Sequence, residues 1–319
     1  MANAYTDITS GASLGVNLVK TGYEQLVAFK LRNQPLFRRV ADTRATQLTN
    51  PGESVVFNIY DDLADDTTDI SETVNPDSVA VPDTDTVTVT LKEMGVTVIP
   101  TLRLRTLTFS DIDPAVANIV ARNLASSVDT RVQTVLRGGT QVARSDAGAP
   151  STTQLLADLT TGDTFKSQIP QTLVAKMRGD SVIEKMGGNT FGAFIHPDVA
   201  YDFRRETGEL GWRYPHNNVA PNNLWLEQVG VFGGVSYIET PRVKVAGDGA
   251  ASKDVYRTYL FGSQCLAEVV AVEPHIIIGP VTDTMMRFRP LSWHGIAGWS
   301  IYRQEALWRV ETVSSIDTF

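Results

Sequence analysis

Between Pro114 and Leu136 the apolar residues return every three or four positions. Val116, Val120, Leu124, Val128, Val132 and Val135 form one line, with Ile119 and Leu136 beside it. That period predicts a helix with a single apolar stripe. Asp113 suits its N-cap and Pro114 its first turn, and Gly138 and Gly139 stop it. About 24 helical residues span roughly 36 Å. Arg122, Asp129, Arg131 and Gln133 fall off the stripe. The helix is therefore expected along the edge of a domain, with one polar face open.

Elsewhere the period shortens to two. "SVVFNIY" (54–60) and "TVTVTLKEMGVTVI" (86–99) read as strands, and "TLRLRTLTF" (101–109) reads as a third, half-exposed one. Before them, "TGYEQLVAFKLRNQP" (21–35) has capping-box spacing at Thr21 and Glu24 and a helix stop at Pro35. After the long helix, "RSDAGAPSTTQLLADLTTGD" (144–163) has the composition of a linker or loop. Mixed material follows. "SQIPQTLVAKMRG" predicts a helix, "TFGAFI" a strand, and "HPDVAYDFRRE" a helix opened by Pro197. "GVFGGVSYIET" and "VYRTYLFG" predict further strands, and the β-branched, aromatic last third returns through sheet. The segments 214–223 and 245–254 read as loops.

Charge changes the picture at one place. From Tyr60 to Thr86 the chain holds nine acids and no base: Asp61, Asp62, Asp65, Asp66, Asp69, Glu72, Asp77, Asp83 and Asp85. No glycine occurs between Gly52 and Gly95, and no Lys or Arg between Arg44 and Lys92. Hairpin loops are usually short and turn on Gly or Asn. An isolated two-stranded hairpin is marginal in water, and like charges weaken it further. Strands this good, carrying a loop this charged, predict a hairpin that lies on another chain. The complementary bases are Lys30, Arg32, Arg38, Arg39 and Arg44 of the N-terminal arm, with Arg122 and Arg131 of the long helix. If the partner is a second copy, the contact is head-to-tail and closes into rings or shells. Gly52 and Gly95, each expected at a strand boundary, are the candidate hinge of this hairpin.

The remaining chemistry is sparse. The 319 residues are 42% hydrophobic and 20% charged, enough for a sizeable core. A net charge of −8 argues against a dedicated nucleic-acid reader. One cysteine, Cys265, excludes an intrachain disulfide and reads as buried and inert. The N-terminal segment lacks the pattern of a signal peptide, and no apolar run approaches the roughly 20 residues of a membrane helix. His196, His216, His275 and His294 lack metal spacing and read as core or turn residues. The Gly-free acidic stretch does not match a calcium loop. No nucleophile-elbow, phosphate-loop or dinucleotide motif occurs. No catalytic residue, cofactor or metal is expected.

The order of parts resembles a family. A basic arm, a long hairpin, a long one-faced helix, a central α/β region and returning strands is the order of the major capsid proteins of tailed double-stranded-DNA bacteriophages, the HK97-like fold. "TFGAFIHPDVAYDFRRE" looks like the strand and helix of that fold's axial domain, and "VGVFGGVSYIET" like its recurrent strand with paired glycines. "PLSWHGIAGWSIYRQEALWRVETVSS" looks like the C-terminal part of one subfamily. The resemblance implies an α+β chain divided into an N-terminal arm (1–50), an extended hairpin loop (51–100) and a peripheral domain with the spine helix (101–150). An axial domain (151–265) and C-terminal return strands (266–319) follow. It implies a non-enzymatic coat protein whose hexamers and pentamers form an icosahedral shell around the phage genome, assembled in the host cytoplasm. A portal and a separate scaffolding protein are the expected partners, since the arm is short. Packaged DNA would be held without sequence-specific contacts, and no membrane is involved. Some members cross-link a loop Lys to an Asn; here the loop has no Lys before Lys92, so no such bond is expected. The alternatives are an encapsulin-type compartment, or an α+β enzyme or carbohydrate-binding protein.

Overall fold

The structure, a computed structural model, describes residues 35–46, 52–60, 63–67, 69–70, 72–75, 78–80, 85–107, 113–187, 189–207, 211, 230–281, 283–285 and 287–318. The helix predicted before Pro35, the 214–223 loop with His216, and Lys30, Arg32, Asp61 and Asp62 lie outside these residues.

The described chain opens with a 3-10 turn at Phe37–Val40, then β1 (Ala41–Thr46), β2 (Ser54–Ile59), β3 (Asp85–Thr90) and β4 (Lys92–Val98). Helices α1 (Leu102–Leu107) and α2 (Asp113–Leu136) follow, then β5 (Val142–Asp146), β6 (Ala149–Ser151), α3 (Gln168–Gly179), β7 (Phe191–Ile195) and α4 (Pro197–Arg205). The rest is strand: β8 (Val231–Phe232), β9 (Val235–Glu239), β10 (Val245–Ala246), β11 (Val255–Phe261), β12 (Leu266–Ile278), β13 (Leu291–Ile301) and β14 (Leu307–Val313).

The strands sort into three sheets. One runs β1-β12-β13-β4, a second runs β6-β5-β14-β11-β7-β9-β8 with β10 on β11, and β2 pairs only with β3. The second sheet holds the main core. All five residues of β7 and all seven of β11 are buried, as befits central strands covered on both faces. Helix α3 covers the core with Ile169, Leu173 and Met177, and α4 with Val199 and Phe203. His196 caps α4: its Nδ1 accepts the Asp198 N–H at 3.3 Å. Burial pushes the His196 pKa down, against the pull of Asp198.

The long helix spans the residues its period predicted and joins two cores. Val120 and Val128 pack with Met94, Val270 and Trp293 of the four-stranded sheet. Val132 and Leu136 enter the main core. Val116 and Leu124 are half-buried against the first cluster. Two positions differ from the stripe. Ile119 is exposed, and Asp129 is buried. Asp129 Oδ1 accepts the Phe37 N–H at 2.6 Å, and its Oδ2 meets Arg242 Nε at 2.9 Å. A buried carboxylate that accepts an arm N–H and pairs with a guanidinium is an arm-to-helix latch. Gln133 likewise points inward and donates to the Arg242 carbonyl.

Three further expectations change. The segment 101–109 is not a strand: Leu102–Leu107 is helical. Thr101 Oγ1 accepts the Leu104 N–H at 3.2 Å, and Thr106 donates to the Leu102 carbonyl. Leu and Arg are good helix formers, and so brief an alternation does not outweigh them. The loop-like 144–163 begins with a tight hairpin of β5 and β6, turned at Ala147 and Gly148, both of positive φ. And "TVTVTLKEMGVTVI" is two strands in two sheets, parted at Leu91.

Candidate assembly surface

Strands β2 and β3 pair from Ser54↔Thr90 to Ile59↔Asp85. The hairpin is rooted in its own subunit and does not lie wholly on another chain. Val89 is fully buried against Ala267 and Val269, with Val55, Phe57, Leu91 and Tyr302 around it. The Leu91 N–H donates to the Glu53 carbonyl at 2.9 Å and closes the base. Gly298 of β13 makes the crossing possible: a Cβ there would lie 2.4 Å from the Thr90 oxygen.

Beyond the strands the loop is bare. Every described residue from Tyr60 to Ala80 is exposed, Asp65, Asp66, Asp69 and Glu72 among them. So are Tyr60, Leu63, Ile70, Val74 and Val79. The result is a strap whose side chains are acidic and apolar in turn.

The two candidate hinge glycines sit differently. Gly52 precedes β2 with φ +74°, and nothing stands within 4 Å of its Cβ position. Gly95 is not at a boundary. It lies inside β4, paired with His294, and a Cβ there would meet the Trp293 carbonyl oxygen at 2.6 Å. Close approach of neighbouring backbone explains that glycine.

The bases are distributed unevenly. Arg38 is not an uncompensated charge. Its Nε meets Glu268 at 2.7 Å and its Nη1 meets Glu273 at 2.8 Å. Glu268 also accepts from Thr43 and from the Trp299 indole, so this arm segment is fastened to β12. Those carboxylates raise the Arg38 pKa in spite of burial, the largest single influence on it, which acts to lower it. Arg39 is exposed. Arg44 falls where the β1–β12 register slips. On α2, Arg122 and Arg131 are exposed, but nine residues separate them, two and a half turns, so they lie on opposite sides of the helix.

Sequence reasoning missed the distal end of the four-stranded sheet. Here α1 exposes Leu102, Leu104 and Leu107. An open cleft of about 520 Å³ lies between α1 and Arg287–Phe288. A smaller one of about 140 Å³ is lined by Pro100, Val116, Ala117, Ile278, Pro290 and Leu291. Arg103, Arg287 and Arg289 stand exposed around both. The alternation of Leu102 and Leu104 with Arg103 and Arg105 was the available signal, and it read as a half-exposed strand.

Among the described residues no group of His, Cys, Asp and Glu is arranged to hold a metal ion, and no helix is long and apolar enough to cross a membrane. His275 and His294 are neither core nor turn residues; they face each other across β12 and β13, with His294 on Glu93 at 2.8 Å. Glu311, buried under Arg144, Arg257 and Arg309, braces β5, β11 and β14. Cys265 is buried as expected, and burial pushes its thiol up to about 12.

Comparison with known proteins identifies the family and the fold. The family model described as phage capsid protein matches residues 18–303. No curated protein sequence matches the chain. Among solved structures, the capsid of cyanophage Pam1 is similar with a TM-score of 0.71 at 15% identity, over 96% of this chain and 100% of that one. The capsid of Ralstonia phage GP4 gives 0.70 at 13%, over 98% and 99%. The acid-stable capsid of Helicobacter pylori bacteriophage KHP30 gives 0.67 at 12%, over 98% and 99%.

Proposed function

The chain belongs to the phage capsid protein family, and from that premise we propose how it builds a shell. It is a major capsid protein with the HK97-like fold. Its copies assemble as hexamers and pentamers into an icosahedral coat around double-stranded DNA, in the host cytoplasm, with a scaffolding protein and a portal as separate chains. Its role is structural, and DNA is enclosed without sequence-specific contacts.

The observation that supports a mechanism is the contrast between two surfaces of one chain. The strap is acidic and exposed, while α2 exposes Arg122 and Arg131, on opposite sides of the helix, and no acid among its described side chains. The strap of one copy lies across α2 of the next. The same patch is never on both sides of such a contact, so it propagates around a ring until the ring closes. A single exposed ion pair contributes little and is screened by salt. Repetition around each ring makes the sum count. With Arg38 fastened internally, the arm contributes less to docking than its composition suggests.

Electron microscopy of the purified chain tests the shell. Neutralising Asp65, Asp66 and Asp69 to Asn and Glu72 to Gln tests the contact. The expected outcome is subunits that keep their unfolding midpoint but give fewer shells, with the deficit narrowing as salt rises and screens the same contact in the unsubstituted chain. Shells in normal yield and of normal stability from this variant rule the contact out.

A further inference from the structure

The acidic residues explain only half of the strap. Ile70 is 78% exposed, Val79 76% and Val74 65%, and Leu63 is exposed too. Scattered exposed apolar residues are ordinary. These belong to one strap, with no covering element of their own chain among the described residues. The open face of α2 offers them little, since Ile119 is the one large apolar side chain exposed there among its described residues. The distal tip offers more. Its two clefts have floors built from Leu102, Leu107 and Phe288, and from Val116, Ile278 and Leu291. Their rim is basic, through Arg103, Arg287 and Arg289. The acid at that rim, Asp283, is already held by Arg287 at 2.5 Å.

An apolar floor with a basic rim complements an apolar strap with acidic neighbours. Val116 lines the smaller cleft, six residues and about 9 Å along the axis of α2 from Arg122. The tip is thus within reach of a strap that lies across the helix.

We propose that Ile70 and Val74 of one copy seat in the tip clefts of a neighbouring copy, with Asp69 and Glu72 turned to Arg103 and Arg289. This rests on the reading that the strap docks on a neighbour, and it adds where the strap is anchored and by what chemistry. The ion pairs steer the strap; the apolar pair holds it in register.

Mixed cysteine cross-linking tests the anchor, because buried Cys265 stays out of exchange. Chains with Val74→Cys alone are co-assembled with chains carrying Leu107→Cys alone, then oxidised. Each variant assembled by itself is the control. Disulfide-linked pairs containing one of each are expected, and such a pair is necessarily between copies. A parallel mixture of Asp69→Cys and Arg131→Cys chains reports strap-on-helix docking alone. If only the parallel mixture cross-links, docking stands and the tip anchor is overturned. If neither does while shells form, both fall. Where cysteine itself blocks assembly, Val74→Leu and Val74→Asp decide. Leu should keep the shell yield, and Asp should lower it about tenfold or more although it adds strap charge. Equal yields overturn the anchor.

Discussion

Replacing Gly298 with alanine should loosen the root of the strap without unfolding the body. The new Cβ would lie 2.4 Å from the Thr90 oxygen, 2.9 Å from Val89 Cγ1 and 3.0 Å from the Thr90 carbonyl carbon. Comfortable contact needs roughly 3.5 Å, so β3 must retreat by about an ångström. The nearest atom is backbone, so a rotamer change cannot absorb the clash, and trimming Val89 should not rescue it. Forced overpacking of this kind costs about 1–3 kcal/mol. Retreat also uncovers Val89, whose complete burial is worth at most roughly 3 kcal/mol. The main core does not touch this site, and α2 keeps its contacts to Met94 and Trp293. Hydrogen exchange should therefore quicken at the paired amides of β2 and β3 and stay slow along α2. Shell yield should fall with it, because a strap that leaves its root at the wrong angle misses its neighbour. Unchanged exchange at Val87 and Val89 together with normal assembly would refute the reasoning.

Leu124→Ala removes a half-buried side chain between α2 and the four-stranded sheet, and a cost near the lower end of the usual ~2–5 kcal/mol is expected; an unchanged urea midpoint would show that this face carries no packing. Gly52→Ala introduces strain at φ +74°, about 1 kcal/mol. If Gly52 pivots the hairpin as the shell matures, that variant should assemble but expand poorly. If it only completes a turn, expansion is normal, and paired structures before and after expansion show the same torsions there. Gly95→Ala should instead damage folding outright, since its Cβ would strike the Trp293 carbonyl.

What was legible in the sequence follows from how far each signal reaches. The long helix was legible because its period holds over six turns and no local alternative competes. The strap was legible because nine acids without a base are conspicuous whatever the fold. Helix α1 was not, because a six-residue segment that alternates Leu and Arg satisfies both periods at once. Asp129 and Glu268 were not, because what buries a carboxylate is a partner far away in the chain. Asp129 waits for Arg242, and Glu268 for Arg38, 230 residues before it. Local pattern places a charged residue on the open face by default. Only the tertiary fold can reverse that, and each reversal here ties the arm to the body.

Those same latches bear on the role proposed for the strap. Arg38 is spent on Glu268 and Glu273, and Asp129 on Phe37 and Arg242. The segment entering β1 is thus fixed to helix and sheet at once. The hairpin root is fixed over Gly298. Between these fixed points the described strap residues are exposed and unburied by their own chain. A strap without lysine before Lys92 has no amine to form the isopeptide bond that some capsids of this fold use. Lys92 itself opens β4 opposite Ala297, at the foot of the hairpin, with its side chain exposed. If no such bond forms, cohesion between copies comes from non-covalent contact, and acid alone is a poor source of it at cellular salt. Apolar residues set among the acids meet that need. They are silent in solution as single exposed side chains and effective only when a neighbour supplies the cleft.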